Sequence, residues 1–121
     1  MVSTQSNFIM SNLSLHFAQN FNHKLDCEYF TSIRPQRDIY QFGAEIDIYC
    51  QEHFLKKANI ISIKTLTLDE LDDWTAFLDA GMNRYELTTL LKTFYPEAES
   101  LLFNLLLLQT CWDSKTIYKS R

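Results

Sequence analysis

Only two glycines, Gly43 and Gly81, occur in the 121 residues. A loop that cradles phosphate needs several glycines so that backbone N–H groups can close on the anion. Such a loop is excluded, and neither G-x-x-x-x-G-K-[ST] nor G-x-S-x-G is present. Cysteine is equally sparse. Cys27, Cys50 and Cys111 are an odd number, widely spaced and without a C-x-x-C pair. They read as reduced, buried thiols of a cytoplasmic protein rather than a disulfide framework. Apolar runs are short: LLFNLLLL at 101–108 falls far below the roughly 20 residues of a membrane helix. No membrane association is expected, and no basic segment with an apolar core opens the chain as a secretory leader would. An excess of positive charge is lacking too, with 11 Lys and Arg against 15 Asp and Glu, a formal net charge of −4. That argues against a protein that clamps DNA through many phosphate contacts. A pocket for one nucleotide or a short RNA remains compatible, since net charge governs steering and not what one cleft holds. His16, His23 and His53 include no i, i+4 pair and have no cysteine at ligand spacing, so neither a metal site nor a cofactor is expected.

What is present is a globular composition, 46% hydrophobic and 14% aromatic, at single-domain length. Residues 1–12 are polar and without period and read as a flexible arm, 113–121 as a polar tail that frays, and 13–112 as one domain. The alternation Leu13, Leu15, Phe17 predicts a strand. A turn or two of helix fits 22–30. A second strand runs from Tyr29 to Arg34, where Pro35 stops it. A polar loop closes at Gly43. The strand Glu45–Cys50 places Ile46, Ile48 and Cys50 on one face, and Gln51–Glu52 turns it into a long strand from His53 to about Leu66. Thr67 with Glu70, and Asn83 with Glu86, are capping boxes. Gly81 is a natural helix end, and Leu87, Leu90, Leu91 and Phe94 form an apolar stripe. Two consecutive helices are therefore expected near 68–80 and 84–95, before a final central strand at 101–108. Strands first and helices grouped late give an α+β fold, a curled sheet or small barrel of about five to six strands with the helix pair capping one end.

The chemistry concentrates near 29–34. Alternation puts Ser32 and Arg34 on one face and Thr31 on the other. A hydroxyl beside a guanidinium suits a phosphate or a nucleobase edge, because Arg donates in a rigid fork while Ser both donates and accepts. Ordinary strand hydroxyls and a surface arginine would look the same. Glu70, Asp72 and Asp73 match the acids a helix N-terminus favours. Asp79, at the opposite end where negative charge is disfavoured, is the better candidate for a role. Tyr29 and Tyr40 are candidates to stack a base, while Phe30 and Phe42 read as barrel core. Lys56, Lys57 and Lys64 read as an edge strand protected against pairing.

In order along the chain, FTSIR at 30–34, FGAEIDIY at 42–49, ISIKTLTLDEL at 61–71, ELTTLLKTFYP at 86–96 and the last apolar strand resemble the ASCH domain of the PUA-like superfamily. The likeness spans about residues 15–110 and is nearest to short ASCH-like proteins, some of them phage-borne. The resemblance implies a compact PUA-like barrel with a cleft that binds RNA or modified nucleosides. One branch of the family is an amidohydrolase that deacylates N4-acetylcytidine with a lysine, a threonine and a glutamate. By position the threonine falls on Ser32, the glutamate near Asp79 and the lysine on Tyr29, a phenol that poorly replaces an amine able to shed its proton. Lys24 lies nearby in sequence on a different element.

Three functions follow as expectations. The first is an RNA- or nucleoside-binding domain whose cleft is built on Ser32 and Arg34, with Thr31, Tyr29 and Lys24 as further ligand-binding residues. The second is an amidohydrolase with Ser32 as nucleophile and Asp79 handling protons. The third is a small acidic protein that binds and blocks a host factor. The oligomeric state is not readable from the sequence.

Overall fold

The computed structural model describes residues 13–112; the arm expected at 1–12 and the tail at 113–121 lie outside them. Five strands form one sheet: β1 (Ser14–Phe17), β2 (Tyr29–Pro35), β3 (Glu45–Cys50), β4 (His53–Thr67) and β5 (Leu102–Cys111), in the order β1-β3-β4-β5-β2. Only the β1–β3 pair is parallel. Gln51 and Glu52 join β3 to β4 with φ of 51° and 72°, two left-handed residues that match the twist of a tight hairpin. The long β4 is bulged, with Ile61 left unpaired between Ile60 and Ser62, and such a bulge sharpens the bend of a strand. The sheet accordingly curls into a half-barrel. Its two edges, β1 and β2, come within reach of each other: the Arg34 guanidinium donates across the seam to the His16 carbonyl at 3.0 Å.

Helices α1 (Asp73–Ala80) and α2 (Arg84–Phe94) cover one end. The first helix starts later than the 68–80 expected. The Thr67/Glu70 box forms, but it encloses a single 3-10 turn at Leu68–Glu70; Leu71 is extended and Asp72 caps the true helix by accepting from the Thr75 N–H at 2.7 Å. Gly81 ends α1 at φ 73°, and a Cβ there would stand 3.2 Å from the Asn22 amide oxygen. That amide belongs to the 3-10 segment Phe21–Asp26 and donates to the Phe77 carbonyl at 3.2 Å, which also accepts from the Gly81 N–H at 2.8 Å, and to the Leu78 carbonyl at 3.5 Å, so it ties the segment to the end of α1. The segment is bent by left-handed Asn22 and His23, which turns the Lys24 side chain inward.

Two apolar clusters result. One fills the barrel, with Leu15, Ile46, Ile48, Ile60, Leu106 and Leu108 at its centre. The other lies under the helices, around Phe103, Leu87, Leu91, Leu71 and Ala76. The face expected along β3 agrees with burial at Ile46 and Ile48, while Cys50 is half-buried. Some side chains differ from expectation. Phe42 is 78% exposed instead of lying in the core, whereas Tyr40 is buried in the barrel cluster. The loop 36–44 carries no period from which the swap could be read. The three cysteines are free but not buried, Cys27 being exposed and Cys50 and Cys111 half-buried. Among the described residues no helix is long and apolar enough to cross a membrane.

Candidate functional site

The seam between β1 and β2 does not close, and a hollow of about 270 Å³ occupies it. One wall is polar: His16 and Phe17 from β1, Ser32 and Arg34 from β2, Lys24 from the bent 3-10 segment and Asp79 from the end of α1. The opposite wall is apolar, made by Leu87, Leu90, Leu91, Phe94 and Tyr95 on the face of α2 and just beyond it. The stripe predicted on that helix is thus shared. Leu87 and Leu91 are buried, while Phe94 is 48% exposed and flanks the opening.

Arg34 and Ser32 stand two apart on β2, so alternation directs them to the same concave face. Arg34 Nε donates to Ser32 Oγ at 2.8 Å and Nη2 to the His16 carbonyl at 3.0 Å, and the guanidinium sits 4.6 Å from the Phe17 ring centre. Every one of these partners is neutral, so the charge of Arg34 has no carboxylate among the described ion pairs.

Lys24 is arranged differently. Its Nζ donates to Asp79 Oδ1 at 2.8 Å, with both side chains 8% exposed, and it lies 5.3 Å from the Phe17 ring centre. Burial pulls the Lys24 pKa below the ordinary lysine value, more than Asp79 raises it, and Arg34 adds to the lowering. The same Asp79 oxygen accepts from Thr31 Oγ1 at 2.7 Å. A carboxylate with two donors is the arrangement a buried charge requires, and among the described residues no buried side-chain polar atom lacks a partner.

Of the residues singled out in the sequence, Ser32, Arg34, Asp79 and Lys24 line the same hollow. Ser32 and Asp79 are not hydrogen-bonded to each other: the hydroxyl partner of Asp79 is Thr31, and Ser32 meets a guanidinium, which cannot act as a base for it. Thr31 touches the site only through Asp79. Tyr29 lies away from the hollow, its hydroxyl accepting from the Gln109 amide at 3.2 Å, and Tyr40 is in the barrel core. Glu70, Asp72 and Asp73 are engaged locally, each accepting from a backbone N–H, of Thr67, Thr75 and Arg84 respectively. Lys56 donates to the Leu25 and Cys27 carbonyls and covers the Phe30 ring, so it fastens the 3-10 segment instead of guarding an edge. Among the described residues no three His, Cys, Asp or Glu side chains gather as metal ligands. Sequence reasoning read Phe17 and the α2 stripe as core and His16 as no ligand, and gave none of them a place in the site. Their periodicity marks them as structured, but nothing local says that a seam lies between them.

No protein-family model, no curated protein and no solved structure matches this chain.

Proposed function

We propose that this protein binds a nucleoside or nucleotide, free or at an accessible position of an RNA, in the seam between β1, β2 and α2. The observation that carries the reading is Arg34: a half-buried guanidinium on the wall of a hollow, held by neutral acceptors alone. Arg offers five N–H donors in a fixed fork. With two engaged, the rest suit a phosphate or a base carbonyl, and charge-assisted bonds are the stronger kind. Because Ser32 Oγ already accepts from Arg34, its own proton is free for a ligand acceptor. The apolar α2 wall offers a surface for the flat ring. The volume, about 270 Å³, suits a nucleobase with its sugar better than a larger cofactor. The resemblance to ASCH domains, with their RNA and nucleoside ligands, supports the same assignment, and the protein is proposed to act in the cytoplasm.

The test is a thermal-shift screen of ribonucleosides and their 5′-monophosphates, followed by titration calorimetry. A ligand at about 100 times its Kd adds about 2.7 kcal/mol to native-state stability, a clear rise in Tm. Arg34→Ala is expected to weaken binding on the order of tenfold or more, the usual loss for a bond to a charged group. A screen without any shift, or an Arg34→Ala variant that binds as tightly as the parent, defeats the reading.

A second reading rests on one specific arrangement. Thr31 Oγ1 donates to a carboxylate that a buried lysine also holds, so a hydroxyl, an acid and an amine are joined in one hydrogen-bonded chain. Those are the groups of the ASCH-type amidohydrolases, here with Lys24 in place of the expected Tyr29 position and Thr31 in place of Ser32. Asp79 is the proton acceptor nearest a hydroxyl, and activation of a hydroxyl needs such a base. Release of acetate from N4-acetylcytidine that disappears in Thr31→Ala and persists in Ser32→Ala is the outcome this reading requires. Absence of turnover by the parent protein leaves binding alone.

A further inference from the structure

His16 stands on β1, a strand at the edge of the sheet, and its imidazole stacks on Tyr49 of β3 with ring centres 4.6 Å apart and planes 9° from parallel. The two residues are direct partners in the parallel ladder, so the rings stand side by side across the strands. Tyr49 in turn meets Phe54 of β4 edge to face at 5.7 Å and 75°, and these two are partners in the next ladder. One row of three rings thus crosses three strands on the convex side of the half-barrel. An edge strand has a neighbour on one side only. Among the described residues no strand pairs with β1 on its other side, so the imidazole face that Tyr49 does not cover is turned toward the open seam, and the exposed His16 is among the residues that border the hollow. The Arg34 guanidinium, 3.0 Å from the His16 carbonyl, sits at the junction between the row and the hollow.

We infer that the row His16–Tyr49–Phe54 is a stacking track for a short single strand of RNA, continuing from the nucleotide held in the hollow. The proposal rests on the nucleotide reading of that hollow and extends it from one residue to an oligonucleotide. A base laid on the open face of His16 would lengthen an existing stack by one member. Such stacking tolerates any base because every base has a π face. The phosphate joining that base to the nucleotide in the hollow would pass beside Arg34. Phe54, 52% exposed, would meet a further base. The row supplies planar faces, and the nearest charges on the same face, Asp47 and Lys57, are paired with each other at 2.6 Å, which fits bases better than an acidic or basic peptide.

The experiment compares the four ribonucleoside 5′-monophosphates with the four corresponding homotrinucleotides by titration calorimetry, using the full chain. For the parent protein the best trinucleotide is expected to bind at least tenfold tighter than its monophosphate, the order of one added base stack. His16→Ala is expected to reduce that length advantage to threefold or less. Phe54→Ala, outside the hollow, reduces it in part while the monophosphate binds as to the parent. Arg34→Ala weakens both ligands. A trinucleotide carrying 2-aminopurine next to the best-binding base gives an independent signal, with quenching on binding that is lost in His16→Ala. Equal affinity for monophosphate and trinucleotide, or a length advantage and quench untouched by His16→Ala, overturns the track and leaves the nucleotide site standing. Binding of neither ligand class overturns both.

Discussion

The barrel interior and the helix-covered end solve the same problem with different completeness. At the barrel centre Leu15, Ile46, Ile48, Ile60, Leu106 and Leu108 are at most 1% exposed, because a curled sheet surrounds them with its own ladder. Under the helices Ala76, Ala98 and Phe103 are just as buried, but the outer helix faces leave Trp74, Phe77, Leu78 and Phe94 between 48% and 79% exposed. Two helices of 8 and 11 residues are too short to close what a five-stranded half-barrel leaves open. The seam is the consequence, and the buried polar side chains Lys24, Ser32 and Asp79 gather along it. In this fold the unfinished end gathers buried polar side chains and the finished end holds them in place.

The largest effect expected from breaking that division is at Asp79. Replacing it by Ala leaves the Lys24 ammonium buried beside Arg34 without its carboxylate, a loss of about 3–5 kcal/mol by analogy with broken buried pairs. Removing both charges as Lys24→Met with Asp79→Leu is expected to restore most of it, since apolar replacements of buried pairs are often neutral. Urea unfolding of the single and double variants measures both. A single variant within 1 kcal/mol of the parent would show that the pair is wetter and less structural than its geometry suggests. Next in size, Leu106→Ala in the barrel is expected to cost about 2–5 kcal/mol, and Leu91→Ala to fall at the low end of that span. The cavity left at Leu91 opens onto the seam and can fill with water or collapse. The reverse ranking would mean that the helix end is the more tightly packed of the two.

The pH dependence of stability probes the seam directly, since the buried Lys24–Asp79 pair sits there. Lys24 has a folded-state pKa below its unfolded value of 10.5, chiefly through burial. Between the two values the unfolded chain binds more protons than the folded one, so unfolding free energy rises with pH across that window. Below the folded pKa the burial penalty is present in full. The Lys24→Met, Asp79→Leu double variant is expected to lack this rise. Denaturant midpoints collected from neutral to alkaline pH, taken as the difference between parent and double variant, isolate the slope. A falling difference would reverse the sign and contradict the burial argument.

Legibility from the sequence follows the range of the forces involved. β2 and β3 were readable because alternation and a terminal proline are local, and the α+β order followed from their spacing. The face shared by Ser32 and Arg34 was readable for the same reason. Asp79 stood out as an acid at the wrong end of a helix. Its pairing with Lys24, 55 positions earlier, was not readable, because it depends on left-handed Asn22 and His23 bending the intervening segment. Neither were the parallel β1–β3 pairing and the bulge at Ile61, which decide that the half-barrel has a seam and that His16 borders it. Tyr40 and Phe42 lie in a loop, where burial is set by what packs above and has no period to announce it.

The smallest expected effect concerns two identical signatures with different outcomes. Thr67/Glu70 and Asn83/Glu86 both form capping boxes, yet the first opens a 3-10 turn of 3 residues and the second an α-helix of 11. A cap stabilises by satisfying N–H groups that the element itself leaves unpaired. The helix α2 depends on its cap, with Asn83 Oδ1 accepting from the Glu86 N–H at 2.9 Å, while the help from the neighbouring α1 reaches only the Arg84 N–H, which Asp73 accepts at 2.9 Å. Asn83→Ala is therefore expected to cost about 1 kcal/mol. The turn at Leu68–Glu70 is instead held by Leu68, which is buried under the helices, and by the continuing β4 ladder up to Thr67 and Leu102. Thr67→Ala should cost about half as much or less, because ladder and packing keep the turn in place after the hydroxyl is gone. Paired chemical unfolding of the two variants decides it. Equal losses would mean that the box at Thr67 holds its turn as strongly as the box at Asn83 holds a helix, and that packing of Leu68 adds little.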